Sequence, residues 1–170
     1  MNDKIVLKTE HLGITFGGLK AAQDVNLNIK EKELYGLIGP NGAGKTTVFN
    51  MLTGVYKPTT GKFYLDGEDL TGKSEETINK KGIARTFQNI RLWKSQSVFD
   101  NVLIAMHLRR TSNFLSAMFR LNYREEKEQR LETERLLKIL GLYEVRNEKC
   151  TSLPYGLQRR LEIARALATK

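Results

Sequence analysis

Apolar and polar positions alternate strictly from Val25 to Lys30, where Val25, Leu27 and Ile29 are separated by Asn26 and Asn28. A side-chain period of two belongs to a strand with one buried face, so the pattern predicts a strand here. Phe63-Tyr64-Leu65 followed by Asp66-Gly67 reads as a strand running into a tight turn. Residues 33 to 38, Glu-Leu-Tyr-Gly-Leu-Ile, form a short apolar run without alternation, which suits a parallel strand covered on both faces. Residues 45 to 52 read as a helix stopped near Gly54, and Ser74 with Glu75 and Glu76 opens a short helix, after which residues 82 to 87 are expected to return to the sheet. From Ser97 onward the period lengthens. Ser97 is placed to cap a helix carrying Val98, Val102, Leu103 and Met106, and residues 123 to 140, with Leu131, Leu136, Leu137 and Leu140, read as a long charged amphipathic helix ended by Gly141. The pattern therefore predicts a sheet-rich α/β core followed by a helical subdomain over roughly residues 90 to 152.

Residues 39 to 47 add chemistry to this outline. Gly39-Pro40-Asn41-Gly42-Ala43-Gly44-Lys45-Thr46-Thr47 fills the phosphate-binding pattern G-x-x-x-x-G-K-[ST], with Gly39, Gly42, Gly44, Lys45 and Thr46 in place. Glycines let the backbone bend so that successive amides point at phosphate oxygens. Lys45 is suited to reach the β and γ phosphates, and the Thr46 hydroxyl to ligate Mg²⁺. The motif sits between a candidate strand and a candidate helix, whose N-terminus adds partial positive charge. A bound nucleoside triphosphate with Mg²⁺ is the expectation.

Composition narrows the classes. With 170 residues, 40% of them hydrophobic, the chain is long enough for one core with a subdomain packed on it. The run from Val102 to Met106 is far shorter than the ~20 residues needed to cross a bilayer. The first residues lack the apolar stretch and cleavage site of a signal peptide, which points to the cytoplasm. The formal net charge of +9 is spread among acidic neighbours, as in Arg124-Glu125-Glu126-Lys127-Glu128, so a solvated surface is expected and not a nucleic-acid partner. The single cysteine, Cys150, offers no internal disulfide and no metal cluster, and His11 and His107 read as surface or packing residues.

The stretch Leu153-Pro154-Tyr155-Gly156-Leu157-Gln158, continuing through Arg159-Arg160-Leu161-Glu162-Ile163-Ala164-Arg165-Ala166-Leu167, resembles the signature segment of ABC (ATP-binding cassette) ATPases. Leu153, Gly156 and the helix from Gln158 carry the match. The resemblance implies an α/β P-loop NTPase fold: a parallel sheet core, an antiparallel β subdomain and a helical subdomain. It divides the chain into a nucleotide core (1–89), a helical subdomain (90–152) and the signature segment (153–170). It also implies that Phe16 stacks on adenine, that Gln88 contacts Mg²⁺ and the attacking water, and that residues 153 to 158 grip ATP held by a second cassette. Ala84-Arg85-Thr86-Phe87-Gln88-Asn89-Ile90-Arg91-Leu92-Trp93 and the signature together look like the cassette of branched-chain amino acid importers. The implied partners are a second cassette and transmembrane permease subunits, on the inner face of the cell membrane, with a truncated nucleotide-binding fragment or a soluble ABC ATPase as alternatives.

Two departures accompany the resemblance. Pro154 stands where the family usually has a serine facing the γ-phosphate, and Leu157 replaces a common polar residue. No residue after Glu162 can be matched to the Asp, Glu and His with which the family completes its catalytic site. The chain is therefore expected to be the N-terminal part of a cassette, binding ATP without hydrolysing it alone and only marginally stable by itself.

Overall fold

The structure, a computed structural model, describes residues 4–86, 90–106 and 123–169. These form two compact units that divide between Ile83 and Ala84.

The first unit is built on a four-stranded antiparallel sheet of order β2-β1-β3-β4: β1 (Ile5–Phe16), β2 (Leu19–Lys30), β3 (Thr60–Leu65) and β4 (Glu68–Asp69). The alternation at Val25, Leu27 and Ile29 faces these side chains inward as expected, with Asn26 and Asn28 exposed. Its long partner β1 has no such plain pattern, because bulges interrupt it. Thr9 pairs with Leu27 and Leu12 with Val25, so two residues of β1 oppose the single Asn26 of β2, and the extra residue is returned on β2 before Ile14 pairs with Ala22. His11 (φ 49) and Asp24 (φ 51) take the left-handed conformations that the bulges require. Side chains replace the lost ladder bonds. Buried Thr9 donates Oγ1 to the Val25 carbonyl and accepts the Leu27 amide, both at 2.8 Å, and the His11 amide donates to Asn26 Oδ1 at 2.8 Å.

Opposite the bulge, a Cβ on Gly61 would lie 2.2 Å from the His11 carbonyl oxygen, so only glycine fits. Asp66 (φ 47) and Gly67 (φ 82) both have positive φ, the condition for the tight hairpin anticipated between β3 and β4. Helix α1 (Lys45–Leu52) buries Val48, Met51 and Leu52 with Leu12, Ile14, Leu27, Phe63, Leu70 and Ile78. Ser74 caps α2 (Glu75–Lys80) by accepting the Thr77 amide.

Two expected strands do not form among the described residues. Over residues 33 to 38 the backbone joins no ladder, and Leu34 and Ile38 are 99% and 95% exposed. A parallel strand depends on partners distant in sequence that run in the same direction, and every strand pairing among the described residues is antiparallel. Residues 82 to 86 likewise stay out of the sheet; Phe87 lies outside the described residues. Their polar groups go instead to ending α2: the Gly82 amide donates to Asn79, the Ile83 amide to Ile78, and Asn79 Nδ2 to the Ile83 carbonyl.

The second unit contains α3 (Val98–Ala105), α4 (Tyr123–Ile139), a 3₁₀ turn (Cys150–Ser152) and α5 (Tyr155–Ala168). Ser97 caps α3 as predicted, accepting the Asp100 amide at 3.0 Å. Gly141 (φ 66) ends α4, and the next residue, Leu142, bonds back to the Leu137 carbonyl while burying its side chain. The buried stripe of α4 is Thr133, Leu136 and Leu137, with Leu140 partly buried at its end; Leu131 falls off that stripe and is 57% exposed. Thr133 enters the apolar face because its hydroxyl is satisfied by the Gln129 carbonyl one turn back. The core joins Val98, Val102, Met106, Leu136, Leu137, Leu142, Cys150, Leu153, Leu161, Ala164 and Ala168.

Candidate functional site

In the first unit the chain from Gly39 to Thr47 forms a glycine-hinged loop heading α1. Gly42 (φ 85) and Gly44 (φ 81) turn the backbone on either side of Ala43. Gly44 is constrained twice, since a Cβ there would also lie 2.4 Å from the Ala21 carbonyl oxygen of β2. The glycine thus lets the loop lie directly on the sheet. Ala43 donates to the Pro40 carbonyl and Val48 to Gly44, but the amides of Gly42, Gly44, Lys45, Thr46 and Thr47 have no acceptor among the described residues. Five unsatisfied donors, four of them consecutive, at a helix N-terminus make an anion-seeking loop.

Lys45 extends across this loop, its Nζ donating to the Gly39 and Pro40 carbonyls at 2.6 Å each. Its ammonium is therefore held over the loop by backbone oxygens. Thr46 is exposed and its hydroxyl has no partner among the described residues, so an oxygen ligand is available at the helix head. Asn41 and Pro40 are exposed on the loop's outer side. This donor set fits a polyphosphate, and the free hydroxyl fits a hard cation that prefers oxygen.

Phe16 ends β1 at the Gly17-Gly18 turn and is 43% exposed. Tyr56, which follows α1, packs T-shaped against it with centroids 5.2 Å apart. The pair presents an aromatic surface in the same unit as the loop. Tyr56 carries no motif, so nothing in the sequence alone marks it. A separate groove of about 320 Å³, lined by Ile5, Val6, Lys8, Glu10, Tyr64 and Gly67, includes none of the predicted site residues. Gln88 lies outside the described residues.

The signature residues sit at the start of α5, in the second unit. Pro154, at the N-cap, accepts the Leu157 and Gln158 amides through its carbonyl but supplies no side-chain cap. The amides of Tyr155 and Gly156 have no acceptor among the described residues, and Gly156 has open space where a Cβ would be. Tyr155 is 66% exposed, with the Arg159 guanidinium 6.0 Å from its ring centroid. Arg159 also bonds buried Glu162 at 2.6 Å; chiefly through that bond, and next through Tyr155, its pKa is raised above the usual guanidinium value.

Three predicted contacts turn inward. Leu153 is buried, Leu157 packs on the core, and Gln158 Nε2 donates to the Leu153 carbonyl at 2.8 Å. Leu157 thus serves packing where the sequence pattern suggested a polar contact. Two further residues that the sequence left unmarked shape this unit: Asn101, fully buried on α3, and Arg165 near the end of α5.

Comparison with known proteins gives three findings. The family described as ABC transporter matches residues 22–170. The chain is 45% identical over 167 residues to the high-affinity branched-chain amino acid transport ATP-binding protein BraF of Pseudomonas aeruginosa, and 41% identical to LivG of Escherichia coli K12, covering 97% of this chain in both. It spans 66% of the length of each, just under two thirds. Its fold superposes on the ADP conformation of MJ1267, an ATP-binding cassette of an ABC transporter, with TM-score 0.81 and 30% identity, over 98% of this chain and 65% of that one.

Proposed function

The chain belongs to the ABC transporter family, and from that premise we propose that it is the ATP-binding part of an importer subunit that couples ATP binding and hydrolysis to uptake of branched-chain amino acids. One observation carries the reading: five unsatisfied amides and the Lys45 ammonium converge on the loop that opens α1. In this reading the amides of Gly42 and of residues 44 to 47 bind phosphate oxygens and Lys45 exchanges the Gly39 and Pro40 carbonyls for the β and γ phosphates. Phe16, backed by Tyr56, meets the adenine. Mg²⁺ would be held by Thr46 and Gln88, where it would neutralise phosphate charge.

The Tyr155 and Gly156 amides supply a second phosphate grip, directed in trans to ATP on another cassette. The remaining partners would be permease subunits, with the cassettes peripheral on the inner face of the membrane.

Isothermal calorimetry tests the reading. The parent should bind Mg-ATP, and Lys45→Ala should weaken binding by at least ~100-fold, because a charge-assisted bond to phosphate is worth about 1.5–3 kcal/mol and Lys45 faces two phosphates. Equal heats for parent and variant would refute the site.

A further inference from the structure

Trp93 lies in a strip, residues 91 to 97, that forms no helix and joins no ladder beyond the single bridge of Ser97 to Lys149. Its neighbours nevertheless satisfy both polar backbone groups of Trp93. Asn101 of α3 accepts the Trp93 amide at 2.9 Å through Oδ1, and donates Nδ2 to the Trp93 carbonyl at 3.1 Å and to the Ser97 carbonyl at 2.9 Å. The Cys150 thiol donates to the same Trp93 carbonyl at 3.3 Å, and the Cys150 amide to Gln96. The last contact comes from α5. The Arg165 guanidinium carbon sits 4.0 Å from the Trp93 ring centroid, and its Nη1 donates to the Arg91 carbonyl.

Arg165 holds this place against its own solvation. Its Nε is buried without a hydrogen-bond partner, and burial pulls its pKa below the ordinary guanidinium value. A half-buried, incompletely satisfied cation costs stability, and an apolar side chain would fill the space without that cost. What an apolar residue could not do is stack on the indole and bond the Arg91 carbonyl together. Ten residues separate Tyr155 from Arg165, so the stack lies about 15 Å along α5 from the helix head.

We propose that Arg165 is a positioning residue that latches the Trp93 strip to α5, so that the strip and the helix whose head carries the Tyr155 and Gly156 amides shift as one body. This deepens the proposed function and rests on it, because the latch matters to transport only if that head grips a phosphate. Its atoms are tested without nucleotide, so failure here would leave the Lys45 experiment standing.

Trp93 is the only tryptophan of the chain, which makes its emission a local reporter. In the full chain, Arg165→Ala should red-shift that emission and raise its acrylamide quenching roughly two-fold, as expected for an indole that loses a stacked cation. Hydrogen exchange of the Trp93 and Gln96 amides should quicken about ten-fold, while the Leu161 and Ala164 amides within α5 keep their protection. Arg165→Lys, which keeps charge and stem but loses the planar fork, should fall between parent and alanine variant in both readouts. It also serves as the test if the alanine variant does not fold. Unchanged emission and exchange in the variants would overturn the latch. So would equal loosening of α5, which would reduce Arg165 to ordinary packing.

Discussion

Asp69 closes the short loop after β4 by accepting the Thr71 amide at 2.9 Å, with Lys62 Nζ at 3.5 Å from its other oxygen. Hydrogen bonds from the Thr71 side chain and backbone, in that order, hold its pKa below the usual carboxylate value. A depressed carboxylate contributes stability that is present above its unfolded pKa, about 3.9, and is lost as pH falls through the folded value. Its side chain is 40% exposed, so solvent screening limits the gain to about 1 kcal/mol or less. Urea melts should therefore find Asp69→Asn slightly less stable than the parent at pH 7, with the gap closing as pH falls through the folded value and Asp69 loses its charge. A gap that persisted at the acid end would assign the effect to shape and not to charge. At this scale the phosphate loop was legible, because Gly44, Lys45 and Thr46 each answer a requirement that few residue types meet. Leu157 was not: a leucine beside a helix head reads as a lost polar contact until the packing around it is seen.

Elements were legible where their stability is local. The helices opened by Ser74 and Ser97 were fixed by caps three residues from the amides they accept, and Gly141 ended α4 by its own backbone freedom. Strand β1 was hidden because its bulges break the period of two, and Thr9, a polar residue, occupies a buried ladder position. The run over residues 33 to 38 misled for the opposite reason. Its apolar composition suits a covered strand, whereas a strand's existence depends on ladder partners that no local pattern reports. Leu34 and Ile38 stand almost wholly in solvent, an exposed apolar segment of the kind that promotes association between copies. Light scattering should find Leu34→Lys/Ile38→Lys more monomeric than the parent at equal concentration. Its melting midpoint should stay within about 0.5 kcal/mol of equivalent stability, as for other surface changes. A clear loss of stability would mean that these side chains are buried in solution.

Across the whole chain, the change from a period of two to a helical period marked the shift from sheet to helices, but the unit boundary between Ile83 and Ala84 follows contacts that no composition change announces. Each unit has its own core, one around Leu12, Met51 and Phe63, the other around Val102, Leu137 and Leu161. Substitutions in one core should therefore be felt chiefly in that unit. Leu137→Ala, at a fully buried site, should cost about 2–5 kcal/mol. The loss should appear in the denaturant transition followed by Trp93 emission, while amide protection at Leu12 and Phe63 in the sheet unit stays near the parent's. Equal losses in both would show that the two cores melt together.

The sheet order also sets a timetable. Strands β1 and β2 are joined by the two-residue turn Gly17-Gly18, β3 and β4 by Asp66-Gly67, and every pairing of this sheet lies within the first 69 residues. Hairpins close in about 1–10 μs. The 87 residues from Ala84 to Lys170 need roughly 4 to 17 s to be synthesised, at about 5–20 residues per second. Because Gly44 rests on β2 within the first unit, the phosphate cradle is expected to form before the helix that carries Tyr155 does.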